Sequence, residues 1–514
     1  MENYSKGAIL PEKFSICVCD RVVGCELSEE FTLPDYRPEI RKLLRVTPTF
    51  APPSVYAGAG RLEFGGGMSY RVLYCGEDGK LYSVDLPASY SFDTEMEDYP
   101  GTAGGVVAMA DIVPDSVTGR VIAPRKIGIR TGISAHVRGY ADTEAPVVTT
   151  GLDDTASQRR LVGRGECANV MRGSMNDIVI SDDLIPDSRE GEIRVIQGEG
   201  SVFVSEATAA NGCIMCRGEV MLRLMMCREP GDGVECLVRK LPFTTEIPVA
   251  GVAPGCECRA WGDCSAVTSS VGDGRIACDV TMWLEAEAQC KQSFNYTKDI
   301  YSTVADTEAV KCDKQLTRPL RAANGNFTQS AVLELAEAGL PAGATIIDTR
   351  ASAGVQGIES ERGRCVVTGE VRYNILYAAG EGYGCCELTC PLRYETDSGQ
   401  DAPEGSLEGD ARLTVFGCRA RMDGERLSVD SEVGVAMRIC CPEKVSMVSE
   451  ARFSPVVSDC AGDVVVCYPD SSDTLWSVAR RYRADAGRVC SLNNLKPQTP
   501  DSADSLGGAK FLIV

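Results

Sequence analysis

His136 is the only histidine in the chain, and it limits the chemistry the sequence can offer. Cys–His peptidases, Ser–His–Asp hydrolases and two-histidine zinc amidases all need an imidazole to move a proton or hold a metal near neutral pH. His136 lies in an alternating stretch on the side shared with Gly132 and Ser134, where a solvated strand residue is the plainer reading. Cys213-Ile214-Met215-Cys216 is the one C-x-x-C of note. A structural zinc needs four ligands, usually two such pairs, and no second C-x-x-C follows at suitable spacing. Cys256, Cys258 or Cys264 would have to complete the set, whereas Cys216 leads straight into an apolar alternation that predicts burial. Acidic pairs are too abundant among 73 Asp and Glu to single out a glycosidase dyad. Gly65-Gly66-Gly67 is followed by a strand pattern and by no Gly-Lys-Ser/Thr, which excludes a phosphate loop. The expectation is a chain with no catalytic residues, no cofactor and no metal.

The elements that would position any site begin with bulk properties. At 514 residues the chain exceeds a single core, and roughly three to four domains are expected. A formal charge of -21 argues against nucleic acid as the main partner, since that rewards dense Lys and Arg. No segment approaches 18 uninterrupted apolar residues and Met1 to Leu10 lacks a basic start followed by an apolar run, so neither membrane insertion nor a standard export signal is expected. The 25 cysteines are odd in number and scattered. They are read as reduced thiols serving mostly as small core residues, with neighbours such as Cys385-Cys386 and Cys440-Cys441 not assignable to bridges.

Three intervals share a pattern. Gly66, Met68, Tyr70, Val72 and Tyr74 alternate with other residues; so do Gly218, Val220, Leu222, Leu224 and Met226, and Gly369, Val371, Tyr373, Ile375 and Tyr377. Each is followed by a second alternation: Ile127 to Val137, Ile276 to Leu284, and Leu427 to Met437. Period 2 predicts half-buried strands. Glu77-Asp78-Gly79, Pro230-Gly231-Asp232-Gly233, Pro87, Pro242 and Pro391 punctuate shorter strands between them. The spacing of roughly 150 residues predicts three mainly antiparallel, sandwich-like β domains rather than a solenoid.

The last fifty residues differ. Val465-Val466-Cys467-Tyr468 reads as a strand, and Asp473-Thr474-Leu475-Trp476-Ser477-Val478-Ala479-Arg480-Arg481-Tyr482 as a helix with Leu475, Val478, Ala479 and Tyr482 on one stripe. Asp473 is expected to cap it. Asp485 opens a second helix with Val489 and Leu492 inward, Asn493-Asn494 stops it, and Lys510 to Val514 closes with a strand. Arg480, Arg481, Arg483 and Arg488 put a basic face on an acidic protein, readable as solvated charge or as a docking face for an acidic partner, with Trp476 more at home in the core than at a contact.

On these residues the C-terminal segment resembles a LysM module, the βααβ unit associated with N-acetylglucosamine-containing glycans. Ser471-Ser472 and Gly507-Gly508-Ala509 stand where that family has Pro-Gly and Pro-Gly-Gln around its glycan groove. Leu33-Pro34-Asp35-Tyr36-Arg37-Pro38-Glu39-Ile40 with Pro124-Arg125-Lys126-Ile127-Gly128-Ile129-Arg130 resembles the opening and late strand of a SPOCS domain. Tandem SPOCS units followed by LysM resemble spore-coat morphogenetic scaffolds of clostridial type. The resemblance implies three SPOCS-like β domains at 1–155, 156–310 and 311–457 and a LysM domain at 458–514. It implies a non-enzymatic role in spore envelope and coat assembly, in the cytoplasm on the mother-cell side of the forespore surface. The implied partner is the coat-basement morphogenetic ATPase, bound through LysM. Asp473, Thr474, Leu475, Trp476, Arg480, Arg481, Asn493 and Asn494 are the implied partner- or glycan-binding residues. The alternatives are a peptidoglycan or GlcNAc-glycan anchor, and a LysM-targeted cell-wall hydrolase.

Overall fold

The computed structural model describes all residues except 1–3, 6–12, 59, 98–104, 145–148, 151–156, 187–190, 230–232, 273, 342, 381, 398–406, 457–463, 496–505 and 507. The chain is mainly β, 80% strand and 4% helix, arranged as several antiparallel sheets. The Pro230-Gly231-Asp232 turn lies outside the described residues.

After the short β1 (Tyr4–Ser5), the chain forms β2 (Lys13–Thr32), β3 (Ile40–Phe50), β4 (Ser54–Gly58), β5 (Arg61–Gly76), β6 (Leu81–Glu95), β7 (Val107–Ala123) and β8 (Lys126–Glu144). These make one sheet of order β2-β8-β7 and another in which β5 pairs β3, β4 and β6. Past β9 (Thr149–Thr150) come β10 (Gln158–Leu184), β11 (Glu192–Ala210), β12 (Cys213–Glu229), β13 (Val234–Pro248), β14 (Glu257–Gly272) and β15 (Arg275–Ser302). Their sheets run β10-β15-β14 and β11-β12-β13. Then β16 (Ala305–Glu334), β17 (Thr345–Glu361), β18 (Arg364–Ala379), β19 (Gly382–Asp397), β20 (Glu408–Asp423) and β21 (Arg426–Pro455) give β16-β21-β20 and β17-β18-β19. The same strand order is thus met three times.

Each sheet pair has its core where the alternating strands face each other. Met68, Tyr70, Val72 and Tyr74 of β5 pack with Ile127, Ile129 and Ile133 of β8. Val220, Leu222 and Leu224 meet Ile276, Val280 and Met282, and Val371, Tyr373 and Ile375 meet Leu427, Val429 and Val433. The glycines that open two of these alternations are required by close approach. A Cβ on Gly218 would lie 2.1 Å from the Phe203 carbonyl oxygen, and one on Gly369 2.1 Å from that of Gly354. The bounds 156–310 and 311–457 meet in β16, which pairs with β21 along its length. A boundary at 310/311 would fall inside that strand.

Of the places where the three sheet pairs meet, two are buried and charged. In the first, Arg138 of β8, Glu287 of β15 and Arg438 of β21 lie opposite Met109, Arg259 and Asp410 of the neighbouring strands. Arg259 donates to Glu287 at 2.8 Å and Arg438 to Asp410 at 3.1 Å, while Arg138 and Arg259 also pair with Asp410. Every one of these five charged side chains is buried. In the second, Asp348 accepts from Arg350 at 2.7 Å, Arg223 at 3.0 Å and Arg45 at 3.2 Å. Beside it Leu73, Met225 and Leu376, one from each sheet pair, share an apolar cluster.

Candidate functional site

The C-terminal unit runs β22 (Val466–Cys467), α1 (Leu475–Arg481), α2 (Ala486–Leu492) and β23 (Leu512–Ile513), with β22 and β23 antiparallel. Thr474, rather than Asp473, is the N-cap of α1: its hydroxyl accepts from the Ser477 N–H at 3.1 Å while the Ser477 hydroxyl accepts from the Thr474 N–H at 2.9 Å. This reciprocal box satisfies two otherwise orphaned donors. Asp473 is buried just outside, accepting from the Asp470 N–H at 3.0 Å, from the Ser477 hydroxyl at 3.0 Å and from Arg481 at 2.6 Å. Burial would raise its pKa, but those donors hold it below the ordinary carboxylate value. Asp485 caps α2 as expected, and Asn494 takes the left-handed conformation, φ 53°, that ends it. Asn493 does more than stop the helix: its side chain donates to the Ile513 carbonyl at 2.7 Å and accepts the Ile513 N–H at 2.8 Å, tying α2 to β23.

Leu475 and Trp476 are core residues, packed with Val478, Ala479, Val489 and Leu512. Leu492 and Tyr482, expected inward, are exposed, because each stands at the end of a seven-residue helix where the stripe turns away from the core. The basic face is partly taken up: Arg488 is exposed, but the other three arginines are paired. Arg480 pairs with Asp299 of β15 at 2.8 Å, Arg483 with Asp306 of β16 at 2.5 Å, and Arg481 with Asp473 of its own unit. Asp299 also accepts the Trp476 indole N–H at 2.8 Å, and Tyr301 packs edge-on to Trp476 while donating to the Ala484 carbonyl. Arg159 of β10 reaches Asp485 at 2.7 Å. Arg480 and Arg483, with Arg159 from the other side, therefore dock the unit onto the chain's own β sheets. Asp299 carried no local sequence signal, since its partners lie some 180 positions away.

The unit also leaves a group of apolar residues open. Val464, Val465, Val466, Tyr468, Tyr482, Leu492 and Phe511 are all exposed. The register that pairs Val466 with Ile513 and Cys467 with Leu512 sets Tyr468 opposite Phe511 on the outward side. Tyr468 is 75% and Phe511 55% exposed. Alternation around the buried Cys467 was the signal that could have found this face.

Elsewhere, His136 pairs with Asp20 at 2.6 Å. Among the described residues, no group of three His, Cys, Asp or Glu is placed to hold a metal. Cys216 is buried, and burial pushes its thiol up to about 12. Cys256 is joined in a disulfide to Cys290, 4.6 Å away between Cα atoms, so it is not a thiolate ligand and the expectation of uniformly reduced cysteines is corrected there. The pair is the continuation of the β14–β15 register past Glu257 and Gln289. The other cysteines among the described residues are free. Among those residues no helix is long and apolar enough to cross a membrane. The chain matches no family profile, no curated protein and no solved structure.

Proposed function

We propose that this chain is a non-enzymatic scaffold of spore envelope and coat assembly, built from three SPOCS-like β units and localised by a LysM-like C-terminal module that binds the coat-basement morphogenetic ATPase on the mother-cell side of the forespore. The thrice-met strand order and the terminal strand–helix–helix–strand order support this reading. The observation that carries it is the outward face of β22 and β23: a small unit anchored to the body by one side leaves Tyr468 and Phe511 uncovered on another. Clustered exposed apolar residues with aromatic anchors mark protein contact surfaces. The arginines, already paired with Asp299 and Asp306, act in holding the module rather than in reaching the partner.

The test is binding of the purified ATPase to the immobilised full chain, compared with the double variant Tyr468→Ser, Phe511→Ser and with a chain ending at residue 457. The double variant is expected to lose affinity by roughly tenfold or more, as removal of central aromatic anchors does, and truncation to abolish binding. Micromolar binding of N-acetylglucosamine oligomers by the full chain, with no ATPase binding, would replace this reading by the glycan-anchor one.

A further inference from the structure

The same loop-to-turn contact closes one end of the first and third sheet pairs, with opposite chemistry. In the first, the Leu33 N–H just after β2 donates at 2.8 Å to the carbonyl of Arg125, in the turn between β7 and β8. In the third, the Leu335 N–H just after β16 donates at 2.9 Å to the carbonyl of Glu425, in the turn between β20 and β21. The third loop then turns Ala338 and Leu340 into its core. The first turns Tyr36 outward, 80% exposed, and sets the Arg37 guanidinium beside it, 5.5 Å from the ring centroid. The fold therefore demands neither an arginine in the turn nor an exposed aromatic in the loop.

The first loop is also fixed in place. Leu33 is buried in the core at one end, and the Ile40 N–H donates to the Pro124 carbonyl at 2.7 Å at the other. Between them the Arg37 N–H closes a turn on the Pro34 carbonyl at 3.0 Å, and the same carbonyl accepts from the Arg125 guanidinium at 2.6 Å. Pro34 and Pro38 restrict the remaining backbone. A side chain held outward on so constrained a loop loses little entropy on meeting a partner.

The two arginines converge without being neutralised. Burial raises the pKa of the Tyr74 phenol, and Arg37 and then Arg125 pull it the other way, which places both guanidiniums near one hydroxyl. Neither Nε has an acceptor among the described residues. Arg37 has no carboxylate partner among those residues, and Arg125 meets Asp35 at 3.8 Å with that carboxylate fully in solvent. Asp78, which also acts on Tyr74, is taken up by the Tyr82 hydroxyl at 2.7 Å and the Lys80 N–H at 3.1 Å. Guanidinium donors are thus left over in a chain with 73 acidic residues.

We propose that Tyr36, Arg37 and Arg125 form a docking point for an acidic segment of a protein partner. The two guanidiniums fork onto its carboxylates, as arginine does with its paired N–H donors, and Tyr36 packs on an apolar side chain between them. An inorganic anion would use the arginines and leave Tyr36 idle, so the aromatic is what selects a peptide. The net charge of -21 repels such a partner at long range, but physiological salt confines that repulsion to about 8 Å. The surface shares no residue with the outward face of the C-terminal module.

The probe is a fluorescein-labelled ten-residue peptide of alternating glutamate and leucine, titrated with the full chain by fluorescence anisotropy in physiological salt. Saturable binding is expected, and the alternating glutamine–leucine peptide should bind weaker by roughly tenfold or more. Tyr36→Ser and Arg37→Gln, both outside the core, should each lower affinity by roughly tenfold with the melting temperature of the chain unchanged. Arg125→Gln should lower it as far; because Arg125 also pins the Pro34 carbonyl, Tyr36→Ser carries the decision. Arg488→Gln on the C-terminal module should leave binding unchanged. The proposal is overturned by no saturable binding, by equal binding of the glutamine–leucine peptide, or by indifference to Tyr36→Ser. Loss of binding in Arg37→Gln with Tyr36→Ser unaffected, together with displacement by millimolar inorganic phosphate, would mark an anion site with no peptide partner.

Discussion

The junction among the three sheet pairs and the seam beneath the C-terminal module are both held by arginine–carboxylate pairs, and they differ in burial. At the junction Glu287, Arg259, Arg138, Arg438 and Asp410 are all withdrawn from water. At the seam Arg480 and Arg483 keep about a third of their side-chain surface in solvent. A buried pair has already met a large desolvation cost, so losing one partner strands the other charge in a medium that cannot solvate it. A surface pair loses only what water had not already offered. The same residue types therefore make a fixed body in one place and a detachable contact in the other.

The largest effect expected from this contrast is at Glu287. Glu287→Ala leaves the Arg259 guanidinium with Asp410 alone and removes the carboxylate nearest Arg438 after Asp410. A loss of roughly 3–5 kcal/mol is expected, read as a lower urea midpoint for the β-sheet signal. A shift no larger than that from an exposed pair would break the comparison.

Acid should act on the junctions in the same direction. Burial alone would raise Glu287 and Asp348, but Arg259, Arg438 and Arg138 around the first, and Arg350, Arg45 and Arg223 around the second, hold both well below the usual carboxylate range. A carboxylate whose folded pKa is depressed contributes stability that is complete above its unfolded value, about 4, and is lost as pH falls through that value toward the folded one. Melting temperature should be flat on this account from pH 7 to about 5 and fall steadily below about 4. A melting temperature that rose on acidification to pH 3 would show that these carboxylates are not ion-paired in the folded chain.

How much of this could be read from the residues follows the range of the interactions. Alternation in β5, β8, β12, β15, β18 and β21 encodes burial directly, and those strands face each other as the pattern demands. The cap at Asp485 and the stop at Asn494 are equally local. The capping choice between Asp473 and Thr474 was not legible, because both side chains can accept and only the Ser477 hydroxyl three residues on decides for Thr474. β16 was missed because Arg318 and Pro319 interrupt its buried positions, Leu316, Leu320 and Ala322, so its apolar period is too sparse to see. Arg138, Glu287 and Arg438 close three apolar alternations with charge, a visible anomaly, but their partners come from neighbouring strands and from other sheet pairs, and periodicity is blind to both. The outward Tyr468 and Phe511 depend on a strand pairing across more than forty residues.

At the seam, Asp299 is the exception that sharpens the contrast, since it is buried while Arg480 is not. Asp299→Ala removes the acceptor of the Trp476 indole and the partner of Arg480 together. A loss of roughly 1–3 kcal/mol is expected for stranding a buried donor, confined to docking of the module. Hydrogen exchange should quicken in α1 and α2 with the urea midpoint of the sheets unchanged. Loss of the whole fold at one midpoint would show that module and body are a single cooperative unit.

The smallest effect belongs to Arg483→Ala. Its partner Asp306 is more than half exposed, and the pair spans 2.5 Å at the rim of the seam. Exposed pairs contribute roughly 0–1 kcal/mol once side-chain entropy and screening are counted. Arg483 also sits in the left-handed region, φ 52°, so Arg483→Ala keeps the backbone strain and isolates the charge, whereas Arg483→Gly relieves the strain while deleting the same charge. Alanine should therefore weaken docking slightly, and glycine should match or exceed the parent because a residue without Cβ enters that conformation freely. Exchange rates in α1 and α2 separate the two. If alanine and glycine weaken docking equally and by as much as Asp299→Ala, the Arg483–Asp306 pair is a principal fastener and burial does not divide the two regions.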